Sequence, residues 1–203
     1  MLKEIAWNEG HYIDIKTSLK GGAMLHQHLK FDITDDAINS GGFDIAILQD
    51  HSANPVALGK DKNHKCIEPT VELAEKILAK SPDCKFIVEF RTSATAKNNF
   101  YRCGDMETYT KYTLRGTKRM AKAIKGKLSH ISEAFFIVQK ERTDFNILAP
   151  DGAHPSKYGA YLKSCINYLT IYKKPFGASP ADCGIEPEIA SYLRSVAERV
   201  VLK

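Results

Sequence analysis

The sequence predicts an α/β fold, a parallel sheet with helices on both of its faces. Short apolar runs alternate along the chain with longer segments of amphipathic helical spacing, the pattern of successive strand-helix units. At 203 residues and 43% hydrophobic content the chain can bury a sizeable core, so residues 1–203 are expected to form a single domain. The strongest strand runs also lead into polar residues at their C-terminal ends, as strands do when their carboxyl ends face a ligand crevice.

In chain order, a helix is expected over Met1–Asn8 and a strand over Tyr12–Ser18. A helix over Thr34–Ser40 is stopped by Gly41-Gly42, and the run Phe43-Asp44-Ile45-Ala46-Ile47-Leu48-Gln49 reads as the next strand. Pro69 suits the first turn of a helix that continues to Lys80, before a strand over Lys85–Phe90. A long helix over Asp105–Lys125, a weaker strand near Leu128–Ile131 and a helix over Ser132–Arg142 follow. Helices over Ser156–Tyr172 and Glu186–Leu202 complete the order, joined by the loop Pro175–Pro180. No internal repeat or low-complexity tract interrupts it.

Several function classes recede on composition. No run approaches the roughly 18 apolar residues of a membrane span, and Met1–Trp7 lacks the apolar core of a signal peptide. The chain as written is therefore expected to be cytoplasmic, with an upstream signal left open. The five cysteines are widely spaced without a Cys-x-x-Cys pair, which argues against a disulfide framework or a zinc knuckle and for reduced thiols. The net charge of +5 is spread over short clusters such as Lys60, Lys62, Lys65 and Lys173, Lys174, so no nucleic-acid partner is expected.

The loops beyond the strand ends are Leu19–Leu25, Gln49–Pro55, Arg91–Asn99 and Ala149–Ser156. The last holds Asp151-Gly152-Ala153-His154-Pro155-Ser156. An Asp three residues before a His in such a turn can aim both side chains to one place, the carboxylate orienting the imidazole as a general base. The alternative is a turn in which Asp151 and Ser156 cap the following helix and His154 is a surface residue.

Three blocks, Lys20-Gly21-Gly22-Ala23-Met24-Leu25-His26-Gln27-His28, the run Phe43 to Ser52, and Asp151 to Ser156 with Gly159-Ala160-Tyr161-Leu162, resemble consecutive blocks of the SGNH (GDSL-like) hydrolases. The resemblance covers nearly the whole chain in order and is most specific in its last block. It implies a three-layer α/β/α, flavodoxin-like sheet and ester hydrolysis through a serine acyl-enzyme, with an O-acyl group on a carbohydrate as the expected substrate. Asp151 and His154 take the places of the acid and base of the triad, and no cofactor or metal is implied. The serine of that superfamily follows the first strand and precedes the first helix. Met1–Ala6 resembles the interior of that helix, so the first strand and the nucleophile block are expected upstream of residue 1, and the chain as written is expected to be impaired. A sheet without that strand would expose apolar surface and favour a homo-oligomer.

For the oxyanion, the backbone N–H of Gly22 is the first candidate and Gly21 the fallback, since glycine lets backbone approach a substrate. The family's Asn donor after the third block is replaced here by a Leu-Gln-x-x-Ser pattern, so the side chain of Gln49 is assigned as a donor and Asn54 as the second choice. A buried Gln49 satisfying backbone groups is the competing reading. Ser52 has His51 beside it but lacks the Gly-x-Ser-x-Gly elbow, which favours a supporting hydrogen bond over a nucleophile. His26 and His28 with Asp32 or Asp50 form a weak metal-ligand pattern, and Arg91 is a weak anion-binding candidate. The rival functional class is a noncatalytic protein that holds a glycan or acyl ligand. A nucleotide- or flavin-binding module is disfavoured, because no Gly-rich phosphate loop follows an early strand.

Overall fold

The computed structural model describes residues 1–51, 53–90 and 102–203, so Ser52 and the Arg91 loop lie outside the described residues. Its elements are α1 (Leu2–Asn8), α2 (Leu25–His28), α3 (Asp32–Asn39), β1 (Ile45–Leu48), α4 (Ala53–Lys60), α5 (Ile67–Lys80), β2 (Lys85–Val88), α6 (Met106–Ala123), β3 (Lys127–Leu128), α7 (Ile131–Glu141), α8 (Lys157–Tyr172) and α9 (Pro187–Val201). The three strands pair in parallel in the order β1-β2-β3, with Ile45 opposite Lys85, Ile47 opposite Ile87 and Val88 opposite Leu128. Helices connect each strand to the next, as parallel pairing requires. The fold is α/β.

The chain divides into two compact units. One is made of Ile15–Phe90 and Lys111–Leu128 and contains the whole sheet. Its core brings Leu48, Phe86 and Val88, all from one face of the sheet, against Leu73, Ile77 and Met120 of the helices. The other takes Met1–Asp14, Ser129–Lys203 and the described residues that end at Thr110. It is helical, with Ile5, Phe135, Leu162, Ile166, Leu193 and Val196 packed together. Helix α8 runs through that core, and its apolar residues fall on more than one face because helices cover it on several sides. Among the described residues, no helix is long and apolar enough to cross a membrane.

The segment Tyr12–Ser18 departs from expectation, since it forms no strand. Its alternation is real, but it carries the chain from one unit, which ends this piece at Asp14, to the other, which begins at Ile15. Ile13 packs on the helical core while Ser18 bonds the Thr34 hydroxyl at 2.7 Å, so its residues serve two different surroundings and no sheet edge. The weak strand near Leu128 is two residues long, and Ile131 opens α7.

Two helices lie where the sequence predicts none. α2 is a single turn, too short for periodicity to register. α4 begins inside the expected loop Gln49–Pro55 and contains Gly59, yet Pro55 sits in the first turn, where its missing N–H costs nothing. Gly59 has a packing reason. A Cβ there would lie 2.0 Å from the Tyr112 carbonyl oxygen, and one on Gly116 would lie 1.8 Å from that of Pro55. The two helices thus meet backbone to backbone, and only glycine permits it.

Candidate functional site

The turn that carries Asp151 and His154 is closed at its base by an antiparallel bridge between Leu148 and Pro155. The Ala149 N–H donates to the His154 carbonyl at 2.8 Å and the Ser156 N–H to that of Ile147 at 3.0 Å. Gly152 takes a positive φ of 65°, which lets the chain reverse. Oδ1 of Asp151 accepts the N–H groups of Ala153 and His154, each at 2.8 Å, an arrangement that fixes the carboxylate to its own turn. Oδ2 then faces Nδ1 of His154 at 2.5 Å.

That pairing sets the imidazole chemistry. Because a carboxylate only accepts, Nδ1 carries a hydrogen, and in the neutral imidazole Nε2 then presents its lone pair. The imidazole side chain is 68% exposed, and among the described residues no group is hydrogen-bonded to Nε2, so a proton on water or a substrate hydroxyl can reach it. In this exposed setting the pair contributes orientation rather than stability. Ser156 plays its own part: its hydroxyl donates to the Asn146 carbonyl at 2.6 Å and accepts the Gly159 N–H at 3.4 Å, capping α8. The carboxylate of Asp151 is spent on its own turn and the imidazole, so the capping role falls to Ser156 alone.

The backbone N–H of His154, then that of Ala153, then the imidazole hold the Asp151 carboxyl well below the usual carboxylate range. A depressed pKa in the folded state means a contribution to stability that is complete above the unfolded value, about 4, and lost as pH falls through the folded value. The Asp151 carboxyl is expected to remain ionised in carbon-13 NMR titration while exposed aspartates protonate around pH 4. Titration of Asp151 near 4 would mean that the turn is open in solution.

The other candidate residues belong to the unit that holds the sheet, with a different acid at their centre. Asp50 follows β1 and is 3% exposed. Its Oδ1 accepts the N–H of Leu25, at the start of α2, at 3.0 Å and that of His51 at 2.7 Å. Oδ2 accepts an amide hydrogen of Asn54 at 2.8 Å. A buried carboxylate is tolerable only when so satisfied, and here it ties the loop after Gly22, the end of β1 and the start of α4 together. Gly22 is exposed at φ 72° in a turn closed by the Ala23 N–H on the Lys20 carbonyl, just before α2. Gln49 is exposed, which removes the reading of it as a buried group at the strand end. Asp50 as an anchor is missing from the sequence reading; its one signal is a carboxylate directly after an apolar strand.

Cys66 packs beside this group, its thiol toward the Asn54 carbonyl at 3.6 Å. Burial, with the negative charge of Asp50 nearby, pushes that thiol up to about 12, which leaves it without a useful thiolate at neutral pH. His28 shares hydrogen bonds with Thr34 at 3.2 Å and Ser18 at 3.4 Å, and burial lowers its pKa against the opposing pull of Asp50. His26, two positions earlier on the same turn, is exposed. Among the described residues no three His, Cys, Asp or Glu side chains stand where they could hold a metal ion. A surface concavity of about 330 Å³ lies elsewhere, against Trp7, His11 and Tyr12, and includes none of the candidate residues.

No family model matches the chain, and no curated protein matches it. Among solved structures, it is similar to the 1.50 Å crystal structure of a DUF4886 family protein from Bacteroides uniformis ATCC 8492, with a TM-score of 0.74. The two share 15% sequence identity over 100% of this chain and 88% of that one. A likeness at that identity is one of fold.

Proposed function

We propose that this protein is an ester hydrolase of SGNH type whose base is His154, oriented by Asp151, and whose substrate is an O-acyl group on a carbohydrate. The observation that carries the reading is the Asp151 carboxylate on Nδ1 at 2.5 Å, with Nε2 turned to solvent. In such a site Nε2 takes the proton of the attacking hydroxyl as oxygen bonds to the acyl carbon, then delivers it to the leaving alcohol. The resemblance of the three sequence blocks supports the substrate class.

No serine hydroxyl among the described residues is bonded to His154, so weak turnover is expected from the 203-residue chain, with His154 activating water in place of a serine. That same observation favours a second reading, a noncatalytic protein that binds a glycan or acyl ligand. Fluorophosphonate labelling followed by intact mass and peptide mapping separates them from a complete triad. The expected outcome is no stoichiometric adduct on the folded chain. An adduct on Ser52 that vanishes in His154→Ala would instead assign a working nucleophile.

A further inference from the structure

Along the sequence the positive charge is spread over short clusters, but helix α6 gathers part of it on one face. Residues 111–128 hold seven of the 29 Lys and Arg and none of the 24 Asp and Glu, so the rest of the chain has a slight negative balance. Lys111, Arg115, Lys118 and Lys122 stand four, three and four positions apart, the spacing of one helical face, and all four are exposed. The row they make is about 16 Å long. The other side of the helix is turned inward: Met120, Ala121 and Ile124 pack in the core of the sheet-containing unit, and the Arg119 guanidinium donates to the carbonyls of Leu58 and Gly59. Among the described residues none of the four exposed cations is paired with a carboxylate. Glu107, one turn before Lys111, is paired with Lys140 at 3.6 Å. Like charges at these spacings weaken a helix, and a merely solvated face mixes both signs. The helix dipole accounts only for Lys122, in the last turn.

We propose, against the expectation that the spread of charge sets, that this face of α6 binds single-stranded nucleic acid, with Lys111, Arg115, Lys118 and Lys122 on its phosphates. A row of like charges without carboxylate partners is complementary to a linear polyanion. The ammonium and guanidinium N–H groups donate to phosphate oxygens, and the single line of cations along the helix matches the backbone of one strand. Tyr112 supplies what a row of charges lacks. Its half-buried ring has the Arg115 guanidinium 5.5 Å and the Lys60 ammonium 5.6 Å from its centroid, so a base can stack there in place of a cation that turns to phosphate. An anionic lipid surface fits less well, since the apolar side of α6 is buried in the core and cannot enter a bilayer. Binding at α6 does not depend on His154, and the failure of one role leaves the other standing.

Fluorescence anisotropy of a labelled oligothymidylate, titrated with the whole chain over a salt series, tests it. Micromolar affinity is expected at low salt, with log K falling against log salt at a slope of about −3, the value for four neutralised phosphates of a single strand. Arg115→Glu combined with Lys118→Glu should weaken binding at least about tenfold. Lys30→Glu combined with Lys174→Glu makes the same change of net charge at exposed lysines off the row and should alter binding less than about twofold. Circular dichroism checks that both double variants fold, and the salt slope is read on the unmodified chain. No binding at low salt, a slope near zero, or an equal loss in the two double variants overturns the proposal. So does tighter binding of the unmodified chain, at equal salt, to polygalacturonate or to phosphatidylserine vesicles than to the oligonucleotide.

Discussion

Gly116→Ala is expected to destabilise the sheet-containing unit by more than about 3 kcal/mol, at or beyond the upper end of what overpacking usually costs. The added Cβ would sit 1.8 Å from the Pro55 carbonyl oxygen and 3.0 Å from the Gly59 nitrogen. Both are backbone atoms of α4, so no side chain can rotate aside and the helix itself has to move. The first turn of α4 carries Asn54, whose amide is bonded to Asp50, so the displacement also loosens a 3% exposed carboxylate. A buried polar group left without its partner adds about 1–3 kcal/mol. Chemical denaturation of the variant beside Gly21→Ala, where a Cβ meets nothing within 4 Å, checks the effect. A loss below about 1 kcal/mol for Gly116→Ala would contradict the backbone contact.

Legibility followed how local the deciding physics is. The runs over β1 and β2 and the helices of three or more turns announce themselves through their own periodicity, which needs no knowledge of a partner. The Asp151 and His154 pair is also local, because the turn between them is short enough to be closed by Asp151 itself. What stayed hidden depends on distant partners. α4 reads as a loop until α6 is present to explain Gly59, and Asp50 looks like one polar loop residue among several until Leu25 and Asn54 converge on it. Tyr12–Ser18 shows the reverse error: alternation predicts a strand, and only the absence of a pairing edge among the described residues shows it to be a connection.

Asp151→Asn is expected to lower ester turnover by about 100-fold or more, with at most a small loss of stability. The carboxylate accepts from two backbone N–H groups and from Nδ1, and so selects the tautomer that leaves Nε2 basic. A carboxamide can retain one acceptor oxygen for the turn but presents an N–H toward Nδ1, which reverses the tautomer and removes the base. General-base catalysis supplies about 10²–10⁴ in rate, so its loss is read in kcat rather than in KM. Because the pair is exposed, unfolding midpoints of the variant and the parent should nearly coincide. A variant with full turnover would leave Asp151 only the role of shaping its turn.

The most direct measurement is the rate of acetate release from an O-acetylated oligosaccharide by the 203-residue chain and by His154→Ala, at equal concentration and with folding checked by circular dichroism. The proposed role predicts slow release above the buffer rate for the parent and a return to the buffer rate for the variant. Equal release by the two proteins, at any rate above buffer, would contradict His154 as the base.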